Sequence, residues 1–307
     1  MLLSVISLQY LNTEIGLLSF IRYHNKWILL MAIGGAITFI LVFCSLIDPL
    51  FTFTNQDTRT AYCFGLTCTN TYFGNIIRYS GYFDESGAIC NWGIFAILFN
   101  KLFFNNRKFE ILLVICLALS FSLAFYIQIL LYFMLFYSKN LKRLIWTGSV
   151  LLIMILSIYN FTDRDGAIYQ LTFARFEYDE SSGNMKGNSR ADLIEKAKSY
   201  FLINPVLGAG AENIGKIEYM DDNPYETLAK DGVIGTLFMY IPLLFIIYYG
   251  RKNKEILCAI IILVFGYLQR PYHVDLIHPS MLYSFLALVL INKESNIIIH
   301  KRSDASI

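Results

Sequence analysis

Six arginines stand in segments that charge patterning places on one side of a membrane: Arg59, Arg78, Arg164, Arg175, Arg190 and Arg270. An arginine beside hydrocarbon is costly and usually meets an anion or a carboxylate. Arg78 opens the run Arg78-Tyr79-Ser80-Gly81-Tyr82-Phe83-Asp84-Glu85-Ser86-Gly87, immediately before an apolar segment. Arg190 opens a helix-like run, and Arg270 closes an apolar segment in Gln269-Arg270-Pro271-Tyr272-His273. Planar, multidentate donors at one depth on three segments suit a diphosphate in a partly dry site. The plain alternative for each is an interface arginine meeting lipid headgroups. Six cysteines without Cys-x-x-Cys and four histidines without ligand spacing give no zinc or iron–sulfur pattern, so no metal and no cofactor is expected.

Composition says what must hold these side chains. Of 307 residues 16% are charged, against roughly 25% in an ordinary soluble domain, while 56% are hydrophobic. The mean hydropathy is +0.51. Such a chain is neither disordered nor a nucleic-acid binder with a basic face. It reads as an all-α integral membrane protein, a single polytopic domain over 1–307.

A spanning helix needs about 20 mostly apolar residues. Windows of that kind fall at 2–21, 27–47, 86–104, 109–137, 144–160, 232–250, 255–269 and 276–292. No cleavage pattern follows the first, which reads as a retained segment. Basic clusters at Arg22/Lys26, Lys101/Arg107/Lys108, Lys139/Lys142/Arg143, Arg251/Lys252/Lys254 and Lys293/Lys301/Arg302 hold 14 of the 25 Lys and Arg. They set the cytoplasmic side. The run 109–137 is basic at both ends, so one crossing would break the alternation. A pair of short helices turning near Ser120–Ser122 restores it; one long tilted helix is the alternative. The expectation is about nine transmembrane or re-entrant helices, with long outer loops at 48–85 and 161–231.

The second loop carries 13 acidic against 8 basic residues. In its middle, Ser189 can cap a helix from Arg190, with apolar positions at Leu193, Ile194, Ala197, Tyr200 and Phe201. Asn204-Pro205 stops it, and Gly208 and Gly210 make a flexible turn. An amphipathic helix lying on the membrane surface is expected. Cys63 and Cys68, five apart in the first loop, are either a small disulfide or two thiols. Cys44, Cys90, Cys116 and Cys258 read as small core residues.

The stretch from Arg190 through Asn204-Pro205-Val-Leu-Gly208-Ala-Gly210, then Asp221-Asp222-Asn223-Pro-Tyr225 and Gly232-Val-Ile-Gly235, resembles the O-antigen polymerase and ligase superfamily. Arg78-x-x-Gly81-x-Phe83 is similar to a further element of that family, although Glu85-Ser86-Gly87 departs from its Pro-Asn. Ser120 and Ser122 stand where the family often has Ser-Arg. The resemblance spans roughly 78–290.

It implies metal-independent transfer of a glycan from undecaprenyl diphosphate, in a bacterial inner membrane with the site facing the periplasm. A polymerase passes the glycan to the next lipid-linked repeat unit; a ligase passes it to lipid A–core. Asp221-Asp222 in place of the ligases' His favours the polymerase. Partners implied are lipid-linked oligosaccharide donor and acceptor, membrane lipids, a chain-length regulator and a repeat-unit flippase, and no nucleic acid. Charge at the diphosphate offsets what develops on the leaving group, a role for Arg78, Arg190 and Arg270. A carboxylate near the acceptor hydroxyl can act as general base: Asp222 first, then Asp221, Glu226 and His273. The competing reading of Asp222 is a helix N-cap. Asn223 and Tyr225 join the substrate contacts, with Tyr79, Tyr82 and Tyr272 either stacking on sugars or serving as interface anchors. A transporter is the reading from another class, but the charges sit in loops and no repeat is visible.

Overall fold

In a computed structural model of the chain, the residues described are 13–54, 59–73, 75–83, 85–137, 191–210, 223–269 and 277–295, with short pieces between 145 and 185. They are mostly helical. Helices of 30, 19 and 26 residues, Glu14–Phe43, Ser86–Phe104 and Tyr225–Gly250, are long and apolar enough to cross a membrane. The protein is a membrane protein. The chain forms two compact units, one of Leu29–Ile94 and Leu112–Ala191, the other of Met1–Ile28, Phe95–Ile111 and Asp192–Ile307.

Helix α1, Glu14–Phe43, runs unbroken through the basic cluster expected to separate the windows 2–21 and 27–47. No Gly or Pro interrupts residues 17–33, and the long cations need not leave the helix. Arg22 lies over the Phe104 ring at 5.4 Å and Lys26 over Tyr23 at 5.9 Å. Each stem follows apolar surface while its charge meets an aromatic face.

The loop 48–85 is not the plain connection an all-α reading expects. Strands β1 (Phe51–Thr54), β2 (Thr60–Cys63) and β3 (Cys68–Thr69) form an antiparallel sheet in that order. Cys63 pairs with Cys68 in register, and a disulfide joins them. A hairpin of β4 (Tyr72–Phe73) and β5 (Ile76–Ile77) follows. Thr, Tyr, Phe and Ile on alternating positions are good strand formers, and the segment is too rich in them to remain irregular.

Helix α2, Ser86–Phe99, continues through a π-turn, Asn100–Phe104. The Asn100 amide donates to the Asn106 carbonyl at 3.0 Å, while Asn106 Oδ1 accepts from the backbone of Lys108 and Phe109 at 3.1 Å. One asparagine ends a helix and the next caps another. That next helix is α3, Arg107–Ala118, and α4 is Leu123–Tyr137. The break between them falls at Ser120–Ser122, as the charge alternation required. Phe121 sits at φ 52°, and three carbonyls at the end of α3 accept from hydroxyls: Cys116 from Tyr79, Ala118 from Tyr126, Leu117 from Ser120. Of the four cysteines read as core, Cys90, Cys116 and Cys258 are buried. Cys44 is exposed, because it lies past the last turn of α1.

A small hairpin pairs β6 (Tyr178–Asp179) with β7 (Asn184–Met185). Beyond it come α5 (Ala191–Ile203), α6 (Pro224–Gly250), α7 (Lys254–Gln269) and α8 (Ile277–Ser295). Helix α6 packs against both α7 and α8. Phe95, Phe99, Phe285 and Tyr267 meet edge to face around His278 in that unit's core.

Candidate functional site

Arg78 is half-buried and held by its neighbours' polar groups rather than by a helix. Its carbonyl accepts from Thr69 Oγ1 at 2.7 Å, and its N–H donates to the Thr71 carbonyl at 3.2 Å. Ser80 and Gly81 are sewn to β3 and its approach. Ser80 Oγ lies 2.8 Å from both the Cys68 and the Phe83 carbonyls, which share its one proton. Gly81 donates its N–H to Thr67 Oγ1 at 2.8 Å, while the Cys68 N–H donates to the Gly81 carbonyl at 2.7 Å. Gly81 has φ 64°, which favours glycine.

Tyr79 fills the space left by Gly35, where any Cβ would strike its ring, and its hydroxyl donates to the Cys116 carbonyl at 2.5 Å. Burial pushes that hydroxyl well above its usual range, so it remains a donor. The Arg78 charge reaches Cys90 and Tyr126, and Cys90 Sγ lies 3.0 Å from Ser120 Oγ. The guanidinium thus lies within electrostatic reach of a buried polar nest at the α3–α4 break, the sort of partly dry setting in which a cation holds an anion well.

The second assembly lies between α5 and α6, and its bonds are nearly all main chain. Gly232 has φ 63° and ψ −174°, so α6 is kinked there. The kink removes the bonds that Val233 and Ile234 would make to Ala229 and Lys230. The turn after α5 replaces them. Val233 N–H donates to the Pro205 carbonyl at 2.9 Å and Ile234 N–H to Val206 at 3.2 Å, while the freed Ala229 and Lys230 carbonyls accept from Ala209 at 2.8 Å and Gly210 at 2.9 Å. Four orphaned groups are satisfied by four from the turn, so the kink leaves none of them unpaired. A Cβ on Gly208 would meet the Lys230 carbonyl and Gly232 N–H, and one on Gly232 would meet the Val206 carbonyl and Gly208 N–H. Gly208 and Gly210, at φ 72° and 83°, therefore form a backbone interlock and not the flexible turn their types alone imply.

Helix α5 is amphipathic as expected, but its apolar face is largely taken by protein. Ala197 and Ala229 are both fully buried, with Tyr200, Phe201, Ala209 and Tyr225 packed around them. Tyr225 is thus part of this small core. The N-cap of α6 is Asn223, whose Oδ1 accepts from Tyr225 and Glu226 N–H at 3.0 Å each. The cap reading of Asp222 is corrected by one position: Pro224 stands at N1, which fixes the cap as the residue before it. Glu226 pairs with Lys230 at 2.5 Å, one helical turn on. Arg59 pairs loosely with Glu85 at 3.8 Å.

Arg190, Asp221, Asp222, Arg270 and His273 lie outside the described residues. Among the described residues no cluster of three or more His, Cys, Asp or Glu has the spacing of a metal site. Sequence reasoning read Cys90 only as a core residue and passed over Thr67, Thr69 and the pairing of Gly208 with Gly232. Only the last had a signal, two glycine motifs 24 residues apart that share one fate.

A family model described as O-antigen ligase matches residues 109–236. The match begins in α3, takes in the break at Ser120–Ser122 and all of α5, and ends just past the Gly232 kink. No curated protein and no solved structure matches the chain.

Proposed function

With residues 109–236 in the O-antigen ligase and polymerase superfamily, we propose that the protein polymerises lipid-linked oligosaccharide repeat units. The glycan on undecaprenyl diphosphate passes to a sugar hydroxyl of the next unit, on the periplasmic side of the inner membrane. The observation that carries this reading is the position of the family match over both halves of the interlock. Helices α5 and α6, whose starts adjoin Arg190 and Asp221-Asp222 in sequence, are fastened together by it.

Arg78, Arg190 and Arg270 bind the diphosphate and offset the charge that grows on it as the anomeric C–O bond breaks. Asp222 takes the proton of the attacking hydroxyl, with Asp221 or His273 in reserve. Glu226 is the weakest alternative, since Lys230 already engages its carboxylate. Attack from the opposite face inverts the anomeric centre without a covalent enzyme intermediate, and no metal is required. A repeat-unit flippase supplies the substrate and a chain-length regulator limits the product.

The description of the matching family favours a second reading, transfer to lipid A–core. Deleting the gene in its host and resolving the surface polysaccharide on a gel separates the two. A polymerase leaves single repeat units on lipid A–core; a ligase leaves none attached. A full ladder after deletion refutes both.

A further inference from the structure

We propose that the turn 202–207 is a wedge inserted among the acyl chains of the bilayer leaflet that faces the outer loops. Leu202, Ile203, Val206 and Leu207 are 57–73% exposed. That is a patch of four large aliphatic side chains, and no charge interrupts residues 199–210. An apolar cluster of this kind marks a surface that something covers. The amphipathic face of α5 does not supply the membrane contact, because Ala197, Tyr200 and Phe201 spend it on Ala229 and Tyr225.

The occupant follows from depth. The Pro205 and Val206 carbonyls accept the N–H groups of Val233 and Ile234, which open the apolar part of the spanning helix Tyr225–Gly250. Only 22% of that helix's most apolar window is buried within the protein, so most of it faces lipid. Val233, Ile234, Leu237 and Phe238 are exposed on it. Hydrogen bonds of 2.9 and 3.2 Å fix the turn beside them, and the exposed patch of the turn continues the exposed patch of the span. The Glu195 and Lys198 side chains, one to three turns back along α5, are exposed too and belong in water. The helix therefore enters the membrane by its C-terminal end only, while its N-terminal end, next to Arg190, remains at the headgroup level. This inference stands whichever glycan reaction the protein performs.

The test places a benzophenone amino acid at Leu207, and separately at Ile203, in the full chain in its host membrane. Glu195 carries the same probe as the control. After irradiation, phospholipid adducts are expected at 207 and 203, at least tenfold above the level at 195. Adducts with a second copy, with another protein or with the polyprenyl carrier overturn the proposal. So does a lipid signal at both positions no higher than at 195. Two probe sites keep the test decisive where one variant fails to accumulate.

Discussion

Two regions hold their key residues by different means. Around Arg78 the holding groups are side chains: hydroxyls of Thr67, Thr69 and Ser80, the ring of Tyr79, and a disulfide beneath them. Between α5 and α6 they are main-chain groups, with Gly208 and Gly232 face to face. A side-chain net is divisible, because removing one hydroxyl leaves the others in place. A backbone interlock is indivisible, because one methyl group separates the two strands of the contact. The first is built to be tuned; the second either closes or does not.

The largest expected effect breaks the second region. Gly208→Ala or Gly232→Ala adds a Cβ against main chain at positive φ. Strain of ~1–3 kcal/mol for the conformation and a similar amount for the overlap is expected. Thermal unfolding and membrane yield should fall together, with activity lost. Either variant folding normally would show that the contact is looser than described.

Arg78→Ala breaks the first region at its functional end. Because the net is held through the backbone of residue 78, the protein should accumulate normally, while polymerisation falls by roughly 30- to 1000-fold, the equivalent of about 2–4 kcal/mol of transition-state stabilisation. Arg78→Lys should restore part of it, since a point charge replaces the guanidinium fork incompletely. Normal chain length in Arg78→Ala would remove this residue from the site.

Smaller changes sharpen the contrast. Asn223→Ala should cost ~0.5–2 kcal/mol of stability through the lost cap, and Asn223→Asp almost nothing; calorimetry or a thermal-shift assay in detergent distinguishes them. Equal losses would mean that the amide, not the cap oxygen, matters. Thr69→Val should cost about 1–2 kcal/mol, because the hydroxyl both donates to the Arg78 carbonyl and accepts from the Thr71 N–H, while the other bonds on the Arg78 loop remain. A loss as large as that of Gly208→Ala would contradict the idea of a divisible net.

How much was legible follows the same division. Periodicity located α5, and Asn204-Pro205 marked its stop, because those signals are local. Charge alternation placed a break at Ser120–Ser122 that contains neither Gly nor Pro, since topology constrains parity wherever the turn falls. The unbroken α1 was missed because a charged cluster reads as a loop unless nearby rings can receive the cations. The strands of the loop 48–85 were missed because membrane hydropathy sets no expectation for a loop. Residue type alone makes Gly208 a flexible turn, because its partner, Gly232, is distant in sequence, and close backbone approach leaves no mark on composition. At the site, residue types raise the expectation of anion chemistry, but the hydroxyl net around Arg78 depends on tertiary packing alone.

The central claim is that this chain joins lipid-linked repeat units without a nucleotide sugar or a metal. The most direct measurement supplies the purified protein, in lipid nanodiscs with EDTA, with undecaprenyl-diphosphate repeat units as the only substrate, and resolves the products by size. The account predicts a ladder of lipid-linked oligomers with wild-type protein, and single units only with Arg78→Ala, Arg190→Ala or Asp222→Asn. Product that forms only when lipid A–core is added, or a ladder undiminished in all three variants, would contradict it.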